Sequence, residues 1–295
     1  MGNFILCCGS TADLTKEKFA SRNIEYICFS YTLGGKELKD DLGQSLSFKD
    51  FYNAMRSGQE TKTAQINTDE YIRYFTPFLE QGNDLLYVSL SSGLSGTYSC
   101  AVLAADELKA KFPDRKIRIV DSLGASSGYG LLMDTLADLR DGGADIDTVA
   151  DFAEEKRLNM HHWFYSTDLT FYIKGGRVSK AAGWFGTVLK ICPLLNMDYE
   201  GHLIPRKKLK GKKRAMLEAL NQMEIHAEDG LSYNKKCFIS HSDCPEEARE
   251  LASLVEQTFP NLKSNVEIYY IGTTIGSHSG PGTVALYFWG DKRND

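Results

Sequence analysis

No stretch of this chain approaches the roughly 20 consecutive apolar residues needed to cross a bilayer, so no membrane span is expected. A basic excess is also missing: 34 Lys and Arg face 39 Asp and Glu, a formal charge of −5, which argues against bulk nucleic-acid binding. The seven cysteines (7, 8, 28, 100, 192, 237 and 244) are odd in number and contain no Cys-x-x-Cys pair. That excludes a disulfide framework and points to thiols in a reducing compartment. The start, Met1 to Cys8, has no basic residue and too short an apolar run for a signal peptide, and Leu6 stands where myristoylation wants Ser or Thr. A cytoplasmic location is expected. Internal repeats and low-complexity tracts are absent.

What is there suffices for two cores: 295 residues, 42% of them hydrophobic. Through the first half, short apolar runs (Phe4–Cys8, Ile24–Tyr31, Leu85–Leu90, Ile117–Val120) alternate with helical periodicities near 16–21, 48–55, 69–80, 98–112 and 131–139. This alternation predicts an α/β fold with a mostly parallel sheet flanked by helices. Its ligands would gather in loops beyond the strands' carboxyl ends, namely 9–13, 61–65, 91–96 and 121–124. After Asp141-Gly142-Gly143 the pattern changes. A helix near 147–158, a strand at 161–165, a helix capped by Ser179 and running to Lys190, and a hairpin turning at Tyr199-Glu200-Gly201 predict an α+β unit. Its sheet is mixed or antiparallel. The division is placed near residue 150, giving domains 1–150 and 151–295.

Two loops carry chemistry. Ser91-Ser92-Gly93-Leu94-Ser95-Gly96-Thr97 lies between a strand and a helix, where free backbone N–H groups and the helix dipole favour an anion. The alternative reading is a capped helix start with no ligand. A hydrolase elbow would need Gly-x-Ser-x-Gly, and Thr97 breaks that pattern. The second loop, Ile271 to Gly282, concentrates Gly, Ser, Thr and one imidazole, His278, between strands. Such a set suits a carboxylate, although Pro281-Gly282 also reads as a plain turn. Between them, Arg206 to Arg214 holds seven basic residues in nine. This run is either a landing site for a partner or an anionic membrane, or a solvated sheet edge. Metal binding is not expected: His161 and His162 point to opposite faces of a strand, and His241-x-x-Cys244 lacks a second pair. Asp121, after its strand, reads as a base or, more commonly, as a turn former.

Taken in order, Ser10-Thr11-Ala12-Asp13-Leu14, Thr63-Ala64-Gln65, Ser91 to Tyr98, Asp121-Ser122 and Lys174-Gly175-Gly176-Arg177-Val178-Ser179-Lys180-Ala181-Ala182 resemble the DegV family of bacterial fatty-acid-binding proteins. Pro205, Lys210-Gly211-Lys212-Lys213 and Ile275 to Gly282 extend the likeness across nearly the whole chain. The resemblance implies a two-domain protein that buries one long-chain fatty acid, needs no cofactor, and presents the carboxylate to a separate fatty-acid kinase. It implies head-group contacts from Thr63, Ser92, Ser95 and His278, with Gly93 and Gly96 as backbone donors.

The acyl tunnel is expected in the second half, around Leu169, Phe171, Ile173 and Ile191 and above all Trp184, Phe185, Val188 and Leu189. Partner docking is expected at Arg206, Lys210 and Lys212. The sequence departs from the family pattern where Gly9 replaces an acid, Ala64 a serine, and Lys210 an arginine. The competing reading is a serine esterase or acyl transferase using Ser95, with His241 or His278 as base.

Overall fold

The structure, a computed structural model, describes residues 4–178 and 191–295. The first half runs β1 (Phe4–Gly9), α1 (Lys16–Ser21), β2 (Glu25–Ile27), β3 (Ser30–Leu33), β4 (Lys36–Lys39), α2 (Phe48–Arg56), β5 (Thr61–Ala64) and α3 (Thr68–Glu80). It continues with β6 (Asp84–Ser89), α4 (Thr97–Lys111), β7 (Ile117–Asp121), α5 (Ser126–Asp141) and α6 (Ile146–Lys156). The second half runs β8 (Met160–Tyr165), α7 (Thr170–Lys174), β9 (Ile191–Met197), β10 (Leu203–Lys210), α8 (Lys212–His226) and β11 (Cys237–His241). It closes with α9 (Pro245–Thr258), β12 (Val266–Tyr270), α10 (Thr273–Ser279) and β13 (Val284–Trp289).

This is a two-domain α/β fold. The apolar runs of the first half pair as an all-parallel sheet in the order β2-β1-β6-β7. Those of the second half form a mixed sheet, β10-β9-β8-β13-β11-β12, antiparallel except for the β11–β12 pair. Helix α5 is buried along most of its length, and two glycines let it approach both units. A Cβ on Gly128 would overlap His162 and Tyr287 of the mixed sheet, and one on Gly130 would overlap the Ala12 carbonyl and Leu14. All seven cysteines are free thiols. No helix among the described residues is long and apolar enough to cross a membrane.

Three local expectations need correction. The run Ile24–Tyr31 is not one strand: the ladder breaks at Cys28-Phe29, where the Phe29 N–H donates to Ser10 Oγ and the Phe29 carbonyl accepts from the Asp40 N–H. Strand β3 then leaves the parallel sheet for a separate antiparallel one, β4-β3-β5. Its β3–β4 turn uses Gly34 and Gly35, both at positive φ (56° and 84°), a Gly-Gly hairpin signal present in the sequence. Residues 61–64, expected as loop, are strand β5; its half-buried, half-exposed alternation in polar residues hides it from hydrophobic pattern reading.

The third correction concerns 273–279, which form helix α10 rather than a loop. The Asp40 carboxylate accepts from Thr273 N (3.3 Å), Thr274 N (3.2 Å) and Thr273 Oγ1 (2.8 Å), so a residue 233 positions away supplies the missing cap. The helix expected over 179–190 lies outside the described residues, as do Trp184, Phe185, Val188 and Leu189.

Replacing Gly128 by Val should force α5 off the mixed sheet and cost about 1–3 kcal/mol, read as a lower urea midpoint. An unchanged midpoint would mean that the helix does not need this close approach.

Candidate functional site

Helix α10 is fixed on three sides. Asp40 caps its start, Tyr52 Oη donates to the Ile271 carbonyl (2.7 Å), and a Cβ on Gly276 would overlap the Tyr52 hydroxyl. Strand β5 is set beside it by pairing Tyr31 with Thr63. The result is a hydrogen bond of 2.8 Å between Thr63 Oγ1 and His278 Nε2.

His278 is held down to about 4, chiefly by burial and secondly by the Arg177 charge, so its ring is neutral at physiological pH. Its Nδ1 is buried without a partner, and the Gly175 backbone lies so close to that atom that a Cβ there would overlap it. The Arg177 Nε–H donates to the Leu94 carbonyl (3.3 Å) and Nη1 to the Gly175 carbonyl. Burial lowers the Arg177 pKa as well. Among the described residues no carboxylate pairs with this guanidinium.

These groups border a cavity of about 570 Å³. Thr63, Gln65, Ser92, Gly93, Ser95, Gly96, Arg177 and His278 are on its wall. Elsewhere the wall is largely apolar, with Phe29, Leu90, Phe164, Tyr172, Met197 and Leu203 drawn from both halves of the chain. His162 and Tyr287 also face it, the former neutral because burial pushes its pKa far down. Thr274 Oγ1 and Ser279 Oγ are buried on the same wall without hydrogen-bond partners.

The 91–97 loop is braced from several directions. Ser91 Oγ donates to the Gly201 carbonyl of the β9–β10 hairpin (2.8 Å) and accepts from Gly93 N (3.1 Å). Asp121 Oδ1 accepts from Ser92 N (3.1 Å) and Leu123 N (3.0 Å), the turn-forming use of that carboxylate. Ser95 Oγ accepts from Thr97 N (3.3 Å) at the mouth of α4.

The model of the family described as "Uncharacterised protein, DegV family" matches residues 6–290. A DegV domain-containing protein of Clostridium perfringens is 34% identical over 293 residues, covering 99% of each chain. This chain belongs to the DegV family. A Thermotoga maritima protein whose structure is described as revealing fatty acid binding function is 26% identical with a TM-score of 0.83, covering 99% of this chain and 100% of its own. The Streptococcus pneumoniae fatty acid kinase B3 protein, solved loaded with linoleic acid, shares the fold at 20% identity and a TM-score of 0.82, covering 99% and 100%.

On this DegV scaffold, Thr63, Ser92, Gly93, Ser95, Gly96 and His278 line one cavity, although residues 63 and 278 lie 215 positions apart. Of the expected wall residues, Trp184, Phe185, Val188 and Leu189 lie outside the described residues. Leu169, Phe171, Ile173 and Ile191 are not on the described lining; Phe171 instead packs against Gly280 and the α2 core. The contributions of Phe29, Leu90, Tyr172 and Met197 escaped sequence reading because single apolar residues on separate strands carry no mutual signal. Arg177 did lie within a quoted motif, and its glycine neighbours Gly175-Gly176 mark the turn that points it at Leu94.

His241 is not on the lining; its Nδ1 accepts from Cys244 N (3.3 Å), and no imidazole among the described residues bonds Ser95. The basic run is largely neutralised in place. Arg206 holds Asn196 (2.7 Å) and Asp295 (3.1 Å), Lys207 holds Glu218 (2.6 Å), Lys212 holds Glu247 (2.6 Å), and Lys213 pairs with Glu250. Lys210 is exposed near the end of edge strand β10.

An anion beside His278 favours the charged ring and raises its pKa, so carboxylate and proton bind cooperatively. Affinity for a carboxylate should therefore rise as pH falls from about 7 toward 5 and stay flat in His278→Ala. NMR titration of the ligand-free ring should show no midpoint near 6.5; one there would refute the burial argument.

Proposed function

We propose that this protein is a non-catalytic carrier that buries one long-chain fatty acid inside the cell and presents its carboxylate to a separate fatty-acid kinase. The supporting observation is the cavity's asymmetry. Its walls are mostly apolar, while one region gathers a hydroxyl, a neutral imidazole and a guanidinium that has no counter-ion among the described residues.

A fatty acid solves both halves of that problem. Burying its chain releases roughly 0.8 kcal/mol per CH₂, on the order of 10 kcal/mol for an ordinary acyl tail before ordering costs. Its head supplies the charge that Arg177 lacks, and a cavity of about 570 Å³ falls within the usual range for small-molecule sites. A buried carboxylate without donors would cost several kcal/mol or take up a proton. We assign Thr63, His278, Ser92, Ser95 and Arg177, with the Gly93 and Gly96 backbone, to the head. In this reading the first domain, to about residue 150, supplies most of the head-group loops and the second much of the acyl chain's wall. The division of labour is incomplete, since Phe29 and Leu90 belong to the first and Arg177 and His278 to the second.

Likeness to fatty-acid-binding DegV proteins supports the ligand class, and likeness in fold to the pneumococcal kinase-associated protein supports the partner. Docking is assigned to the β10 edge around Lys210, with Arg206 and Lys212 held by intramolecular pairs that a partner would have to exchange. A peripheral membrane role gains no support from a patch so largely paired with its own acids.

Lipid extracted from the purified protein should yield about one long-chain fatty acid per chain by mass spectrometry, and Arg177→Ala or His278→Ala should retain clearly less without unfolding. Full retention in both variants would remove them from the site. Lys210→Glu should reduce kinase-dependent acyl-phosphate formation while leaving fatty-acid binding intact; equal turnover would move docking elsewhere. A fluorophosphonate probe should leave Ser95 unlabelled, and labelling would favour the esterase.

A further inference from the structure

The geometry points to a second site, independent of the fatty-acid reading: His161, His226 and Asp291 form a binding site for a divalent transition-metal ion of the zinc class. His161 is the second residue of β8, His226 the last of α8, and Asp291 lies just past β13. They are 65 and 130 positions from Asp291 in sequence, which is why residue spacing gives no sign of them.

The fold holds these groups together through backbone. Asp291 N donates to the His226 carbonyl (3.0 Å), and Gly290 N to the Asn159 carbonyl (2.8 Å). Any Cβ on Gly290 would overlap the His226 carbonyl and the His161 ring. The His161 ring is stacked on Phe288 at 5.1 Å and on His226 at 5.0 Å, so its orientation is set by packing.

The three donor atoms are close enough to share one ion. Asp291 Oδ1 lies 3.1 Å from His161 Nε2 and 3.0 Å from His226 Nδ1, and all three atoms fall within 4.8 Å of one another. Ligands at the 2.0–2.1 Å typical of zinc stand about 3.3 Å apart in a tetrahedron. The Asp291 carbonyl, 2.9 Å from His161 Nε2, offers a further oxygen. Two imidazoles and a carboxylate suit zinc, cobalt or nickel rather than calcium or magnesium. With no ion bound, His161 Nε2 faces two oxygen acceptors, the Oδ1 and the carbonyl of Asp291, and carries the ring proton, which moves to Nδ1 or to solvent when an ion binds. Entry is through a surface cavity lined by His226, Asp291, Glu228 and Asn159.

Two features limit affinity. His161 Nδ1 has no acceptor, and such outer partners are usually worth 10–100-fold in binding. Arg293 adds a like charge near the rings. The second three-residue grouping, Asp198, Glu200 and His202, is less suited, because Asp198 Oδ1 already accepts from Glu200 N (2.9 Å) and His202 N (2.8 Å) in the hairpin turn.

The test is calorimetric titration of the chelator-stripped full-length chain with Zn²⁺ alone, alongside His226→Ala, Asp291→Ala and, as a control, His202→Ala. One ion per chain should bind, each site variant should weaken it more than about 10-fold, and the control should not. Zn²⁺ should also raise the wild-type melting temperature by a few degrees. Bound Co²⁺ should show no thiolate charge-transfer band. Absence of saturable binding, equal binding in the His226→Ala/Asp291→Ala double variant, or a thiolate band would overturn the site. His226 is half-buried and Asp291 exposed, and circular dichroism of each variant verifies that folding is retained.

Discussion

A hydrogen bond between Thr63 and His278 joins an edge strand of a small antiparallel sheet to a short helix 215 positions later. Much of the site depends on keeping that contact in place. The imidazole stays neutral because it is buried, Arg177 stands beside it without a counter-ion among the described residues, and the largely apolar cavity begins there. A cavity of this kind needs an occupant that is charged at one end and greasy along the rest.

The rigidity of the polar end comes from a second, hidden arrangement. Asp40 satisfies the first N–H groups of α10, while Asp13 accepts from Ser126 Oγ (2.5 Å) at the start of α5. Burial and the neighbouring Asp40 charge push the Asp13 pKa well up. Two carboxyl groups buried side by side therefore tie β4's end, α5 and α10 into one support. Loss of either would loosen the helix that carries the imidazole. The 91–97 loop is anchored separately, through Ser91 to the β9–β10 hairpin and through Asp121.

The main architecture was legible because apolar runs and helical periods alternate in this chain: the strands at 4–9, 84–89, 117–121 and 237–241 and the turn at Tyr199-Glu200-Gly201 fell where pattern reading puts them. The small sheet β4-β3-β5 was not, since Lys36–Lys39 and Thr61–Ala64 are polar and their partners lie outside any local window. Helix α10 has no helix-start signal of its own in the sequence, because its cap is a distant aspartate. Thr63, Ser92, Ser95 and His278 were legible as residue types in glycine- and hydroxyl-rich segments and through resemblance to a family. Their convergence on one cavity, and the part Arg177 takes in it, came only with tertiary structure.

The central claim is that a carboxylate occupies the polar end and stays ionised there. ¹³C NMR of a bound fatty acid labelled at its carboxyl carbon tests it directly. The account predicts one protected resonance with a midpoint below that of an exposed carboxylic acid, shifted by Thr63→Val. A bound carboxyl that titrates like one in free solvent, indifferent to that substitution, would contradict it.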